Sequence, residues 1–334
     1  MAWLNGLLMI PMLACAGWGA MALYFRLALP HVGRWLVAGL WLATWLVLVF
    51  LLWRGMPWFA LAGISILMLG LAWWWRSLKP LHDRPWADDV AHLASGEVQG
   101  NRLVLHHVRN FRWHTRHEFT PAWETRTYEL DRLTSLDLFI SNWGRPAISH
   151  VMLSFGFDDG QFVTFSVEVR REKGERFSEF GGFFKQYELA IIAADERDAV
   201  QLRSNVRGEQ VTLYRVDISG DAMRELLLAL VEEANRLEYE PRFYHTITAN
   251  CSTLVFVMMR NIIHGLPLDY RLLLTGLLPG YVHARGGLVE GHELAELRRL
   301  GRINERAKQA HGDPAFSRHI RQGVPGWAMQ DKPT

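Results

Sequence analysis

Ala249-Asn250-Cys251-Ser252-Thr253-Leu254-Val255-Phe256-Val257-Met258-Met259 is the stretch on which the reading of this chain turns. Asparagine is a strong helix N-cap and the apolar run that follows has helical character, so a helix is expected to open at Asn250 with Cys251 as its first residue and to run to about His264. A thiol there feels the positive end of the helix dipole, which favours its charged, nucleophilic form. The only other cysteine, Cys15, lies in an apolar N-terminal segment. One thiol in the soluble part excludes an internal disulfide there, and with a histidine elsewhere it is the pattern of a cysteine nucleophile. The plain alternative is a buried cysteine packing as a small hydrophobe.

Working outward, the first third reads as membrane. Residues 1–25, 35–53 and 55–75 carry no charged side chain, and each is near the roughly 20 residues needed to cross a bilayer. Arg26, Arg34, Arg54 and Arg76 punctuate them, and Trp73, Trp74 and Trp75 precede Arg76 and Lys79 as in an interfacial anchor. The first segment lacks the basic start of a cleaved signal peptide, so three retained helices are expected in residues 1–78. Residues 79–97 read as a linker, 98–323 as one catalytic domain and 324–334 as a tail. The basic residues, few as they are, lean towards a cytoplasmic domain. A net charge of +2 gives no case for nucleic acid.

The soluble part mixes strands and helices without regular βαβ alternation, which points to an α+β fold. Hairpins are expected at Gly100-Asn101 and at Asp158-Asp159-Gly160, the latter between the alternating runs Ile148–Phe157 and Gln161–Val169. Further strands are read at Thr125–Leu130, Leu136–Ile140, Tyr187–Ala193 and Val211–Val216. Ala222–Leu237 is an amphipathic helix, and Leu288–Leu300 and Ile303–Ala310 read as terminal helices.

His150 stands in an alternating strand and is the expected base for the thiol. The next strand presents Ser166 and Glu168 on one face, and an acceptor there can orient the imidazole; Glu168 is favoured. His245 is the alternative base, ranked lower because it precedes the helix in a loop. Tyr244 is a candidate donor to an oxyanion, with Asn250 in a positioning role. His114 and His117 have ligand-like spacing, but nothing around them supports zinc, and neither metal nor cofactor is expected. Phe256, Met259, Leu273 and Leu277 are candidate contacts for a lipid chain. Arg271–Tyr281 is more apolar than a surface loop; it either dips into the membrane interface or packs on the core.

Three pieces then carry a resemblance: Trp123-Glu124-Thr125-Arg126-Thr127-Tyr128; the His150 strand continuing to Ser166-Val167-Glu168-Val169-Arg170-Arg171-Glu172-Lys173-Gly174-Glu175; and Tyr187-Glu188-Leu189 leading to Ala194-Asp195-Glu196-Arg197-Asp198. With Asn250-Cys251-Ser252-Thr253 they resemble the bacterial family named after the N-terminal periplasmic domain of Lnb, a lipoprotein N-acyltransferase, over about residues 83–323. That family is similar to circularly permuted papain-like enzymes of the NlpC kind, in which the histidine strand precedes the cysteine helix, as His150 precedes Cys251. The resemblance implies an antiparallel sheet with a cysteine-bearing helix, Cys251 as nucleophile, His150 as base and a periplasmic domain on the inner membrane, against the charge count. The family's namesake carries its membrane part after this domain, whereas here three spans precede it.

The expected function is a membrane-bound cysteine acyltransferase. It moves an acyl chain from phospholipid, through a thioester, to an amine such as the N-terminal cysteine of a lipoprotein. The alternatives are a lipid or cell-wall thiol hydrolase with the same pair, and a non-catalytic assembly protein with Cys251 in its core.

Overall fold

The computed structural model describes residues 2–327. The chain forms two units: residues 1–81, 176–188 and 242–246 make the first, and all others make the second.

Three helices lead the first unit: α1 (Ala2–Arg26), α2 (His31–Trp53) and α3 (Pro57–Ser77). Proline at the first position of α3 fits, because an N–H there would have no helical partner. Among the described residues α2 and α3 are long and apolar enough to cross a membrane; α1 is a continuous 25-residue helix containing Pro11. Leu36, Leu46, Phe59, Ile66 and Leu69 are exposed, the expected state of side chains that meet hydrocarbon rather than water. Small residues let the helices approach closely. A β-carbon on Gly19 would fall 2.5 Å from the Trp41 ring, and one on Gly63 would fall 2.5 Å from Leu48. Trp41 Nε1 also donates to the Ala16 carbonyl at 2.9 Å.

The two later segments of this unit pack by ring and cation contacts. Phe184 stacks on Phe25 at 5.6 Å. Lys185 donates to the Trp75 carbonyl at 2.8 Å and lies over the Trp75 ring, which puts a cation at the negative end of α3. Arg26 lies over the Phe243 ring at 5.1 Å. A catalytic domain running unbroken through 98–323 is therefore a sequence expectation that the chain path refines: the segments after residue 175 and after residue 241 leave the second unit and return.

The second unit holds β1 (Ser95–Gln99), β2 (Arg102–Arg109), a small hairpin of β3 (Arg112–Trp113) and β4 (Phe119–Thr120), β5 (Trp123–Glu129), β6 (Leu133–Asn142), β7 (Ser149–Phe157), β8 (Phe162–Arg170), β9 (Glu188–Ala194), α4 (Glu196–Gln201), β10 (Gln210–Val216), α5 (Gly220–Tyr239), α6 (Thr253–Ile262), α7 (Leu278–Ala284), α8 (Leu294–Leu300), α9 (Asn304–Gln309) and α10 (Phe316–His319). The sheet order is β1-β2-β9-β8-β7-β6-β10, with β5 also on β2. β1–β2, β2–β5, β6–β7, β7–β8 and β6–β10 pair antiparallel, and β2 makes a parallel contact with β9. The fold is α+β, and both expected hairpins form: Gly100 at φ 65° and Gly160 at φ 84° take the left-handed turn positions that glycine accepts without strain. Residues expected as linker already belong to the fold. Trp86 and Val90 are buried, and Trp86 bridges to Glu172.

Alternation along β6 separates two kinds of neighbour. Leu136, Leu138 and Ile140 point one way; Asp137, Phe139 and Ser141 point the other, and all six are buried. α5 buries Met223, Leu226, Leu227, Leu230 and Ala234, and its Asn235 side chain clasps the Gly96 backbone through both N–H and C=O. Asp137 meets Arg215 at 2.6 Å and Arg321 at 2.8 Å, and Arg321 also grips Glu196. Leu288 bridges to Val216 instead of opening a helix, so the expected helix from Leu288 begins only at Leu294.

Candidate active site

The thiol end of the site is built by a cap. Asn250 Oδ1 accepts the backbone N–H groups of Ser252 and Thr253, each at 2.9 Å, and the Thr253 hydroxyl at 3.0 Å. These are the second and third amides beyond Asn250, the pattern of an N-cap. The Leu254 N–H reaches the Asn250 carbonyl at 3.2 Å, the first helical bond. Cys251 thus stands on the opening turn, although regular helix begins at Thr253 and ends at Ile262. Its side chain is buried at 7% exposure.

The histidine end is built by strand register. Ser141 pairs with His150 across β6 and β7, and Met152 pairs with Ser166 across β7 and β8. Continuing that register by two residues sets Glu168 opposite His150, where side chains of one face meet. His150 Nε2 lies 2.6 Å from Ser166 Oγ and 3.2 Å from Glu168 Oε1. Ser166 donates to Glu168 Oε1 at 2.7 Å, so its oxygen lone pairs face the ring. With Nε2–H directed to Ser166, the free lone pair of a neutral imidazole falls on Nδ1. The Cys251 thiol lies near enough to His150 to help raise its pKa, and Nδ1 is the nitrogen left to face it.

Behind Glu168 stands Arg203, whose guanidinium donates to Glu168 at 3.0 Å and to Glu209 at 3.3 Å; Glu209 also accepts from the Ser141 hydroxyl. Burial, and then Arg203, push the His150 pKa down. The nearby Glu168 charge, the Cys251 thiol and the bond to Glu168 outweigh them, and the imidazole ends above its ordinary value. Burial pushes Glu168 up, but His150 and Arg203 hold its carboxyl well below the usual carboxylate range. The pair therefore favours an imidazolium beside a carboxylate.

A strap joins the two ends. The Ser252 hydroxyl, next to the thiol, donates to the Leu272 carbonyl at 2.6 Å. Thr275 Oγ1 accepts the Ser149 N–H at 2.8 Å and donates back to the Ser149 carbonyl, one residue before His150. Gly276 N–H bonds to the Ala147 carbonyl at 3.2 Å. A β-carbon on Gly276 would fall 1.9 Å from the Pro146 carbonyl oxygen, so only glycine fits.

The other sequence candidates are placed as follows. Tyr244 belongs to the first unit, where its N–H bonds to the Tyr187 carbonyl at 3.0 Å. His245, in the same unit, packs its ring on Phe183 at 5.9 Å, and burial holds its pKa below the ordinary value. Asn250 acts as the cap. Phe256 is buried against Tyr281, Met259 and Leu277 are half-buried, and Leu273 is exposed. The apolar stretch divides between the two expectations for it: Leu272 and Leu278 pack inward while Leu273 and Leu274 face out. His114 bonds to Thr120. Two clefts, of about 560 and 510 Å³, lie elsewhere in the second unit, one lined by Arg126, Arg197 and Arg318, the other by Trp113, His114 and His311. Sequence reasoning missed Arg203 and Glu209. Arg203 lies in a π-helical stretch, Leu202–Val206, that prolongs α4 and turns it inward; π turns are frequent at functional sites but leave no mark on the apolar pattern.

No curated protein and no solved structure matches the chain significantly. A family model does, over residues 119–276, a shorter stretch than the resemblance covered but one that contains His150, Ser166, Glu168, Arg203, Cys251 and the strap up to Gly276. The family is described as a periplasmic domain, and α2 and α3, long and apolar enough to cross a membrane, are consistent with a membrane-anchored chain. Residues 119–276 thus carry the Lnb N-terminal periplasmic domain.

Proposed function

We propose that this protein is a cysteine-dependent acyltransferase of the bacterial inner membrane, with its second unit in the periplasm. The observation that carries the reading is the set Cys251, His150, Ser166 and Glu168, with a buried thiol and a half-buried His150–Glu168 pair braced by Arg203. It supplies the three roles of a nucleophile, a base and an orienting group.

In the first step Cys251 Sγ attacks an ester carbonyl of a phospholipid. A C–S bond forms, the C–O bond breaks, and the thiol proton passes through His150 Nδ1 to the departing lysolipid oxygen. In the second step an amine attacks the thioester. A C–N bond forms, the C–S bond breaks, and the amine proton returns through His150 to sulfur. Glu168 steadies the imidazolium of both steps. The amine in this reading is the N-terminal cysteine of a diacylglyceryl lipoprotein. A lipid donor is supported by the chain path: the segment following β8, and the one ending five residues before Cys251, belong with the transmembrane helices. Papain-like permutation and a third span, α1, are part of the same proposal.

The test is intact-mass spectrometry of the full-length protein incubated with phospholipid. The reading predicts an acyl adduct on Cys251 that an added amine discharges as an amide. No adduct would end the covalent mechanism. An adduct discharged only as free fatty acid would make the protein a thiol hydrolase.

A further inference from the structure

The strap beside the thiol carries a surface that the acyl-transfer steps do not use. Within seven residues Leu268 is 76% exposed, Tyr270 67%, Leu273 48% and Leu274 36%. Single exposed hydrophobes are ordinary on a protein surface, but a cluster this dense marks a binding face. Leu272, among them, is buried at 3%, and its carbonyl holds the hydroxyl of Ser252, the neighbour of Cys251. The exposed leucines therefore flank the anchor point of the thiol turn.

Charge narrows the occupant. From Asn250 to Gly286 the chain has one acidic residue, Asp269, and Arg271 holds both its oxygens, at 2.9 and 2.7 Å. Arg285 lies near enough to act on the same carboxylate. It is exposed and makes no ion pair among the described residues. Its guanidinium is a surplus cation beside apolar side chains, the combination that suits the surface of an anionic bilayer. A second copy of the chain would bring the same surplus charge and repel it, and the chain's own apolar helices keep a bilayer at hand.

We propose that Leu268, Tyr270, Leu273 and Leu274, with Arg285, rest in the interfacial layer of an anionic bilayer and that the acyl donor reaches Cys251 past the strap. The route for the donor rests on the acyltransferase reading; the contact with lipid does not. The test uses the full-length chain carrying Cys15→Ala and Cys251→Ala in nanodiscs containing phosphatidylglycerol. One sample carries Leu273→Cys labelled with an environment-sensitive fluorophore; the control carries Val98→Cys on β1, 48% exposed. Quenching by doxyl-labelled lipid should be at least roughly twofold stronger at position 273 than at position 98, quenching by aqueous iodide weaker, and Arg285→Gln should reduce the difference.

Equal iodide quenching at both positions would overturn the proposal. So would protection of position 273 from both quenchers, with disulfide-linked dimers of the unlabelled Leu273→Cys chain. The labelled chain has no catalytic thiol, so the two readings fail separately. Lipid quenching without an acyl adduct on the wild-type protein sinks the chemistry alone, and an adduct with iodide quenching sinks the surface alone.

Discussion

The Ser166 hydroxyl on Nε2 fixes the tautomer of His150 and leaves Nδ1 as the nitrogen to face the thiol. Cys251→Ser should leave the protein folded and inserted but abolish acyl-adduct formation, because a hydroxyl is far less nucleophilic; wild-type turnover by the serine form would remove the nucleophile. His150→Ala should slow adduct formation by roughly two orders of magnitude or more, and His245→Ala far less, a ranking that stopped-flow acylation rates check. Glu168→Gln should cost less than His150→Ala but alter the pH profile in a definite direction. Glu168 raises the His150 pKa, so activity that needs the imidazolium falls away at a pH above 6.5, and the glutamine variant should move that alkaline limb downward. The same group contributes stability that is present below pH 6.5 and lost as pH rises through its raised folded value. Glu168 contributes stability that is present above 4.5 and lost as pH falls through its lowered value. His150 was legible in the sequence because a strand histidine with a same-face acid two residues past a serine is a local pattern. Arg203 was not, since no local pattern foretells which face a π turn will aim at.

At the scale of elements, the hairpins at Gly100 and Gly160 could be read because turn chemistry is local. The strap could not. Its hydrogen bonds to the histidine strand join residues more than a hundred positions apart, and Leu273 and Leu277 look alike in sequence whether they face in or out. Thr275→Val tests what the strap contributes. It leaves the buried N–H and C=O of Ser149 without their partner, at a cost of about 1–3 kcal/mol each. The melting temperature should fall, and Thr275→Ser should restore both stability and acylation rate. A valine variant with wild-type rate would mean that the strap does not align the pair.

At the scale of the whole molecule, the α+β class was open to reading from mixed periodicities, but the departure of two short segments to the first unit was not, because their phenylalanines read equally well as core. The burial of Arg321 was hidden too, for its partners lie 184 and 125 residues away. Replacing it with methionine leaves Glu196, fully buried, without a counter-charge and Asp137 with Arg215 alone, a change expected to cost about 3–5 kcal/mol and measurable by urea unfolding. A loss under about 1 kcal/mol, the value of an exposed pair, would show that the carboxylates find other partners. The same cluster has a meaning in time. The sheet strands bearing Asp137 and the histidine emerge from the ribosome long before residue 321 follows. Until it arrives, Glu196 at the start of α4 has no cation to answer it and Asp137 has only Arg215. The second unit should therefore reach its full stability only when the late arginine is delivered, and a chain cut just before residue 321 should unfold at lower urea than the full-length one.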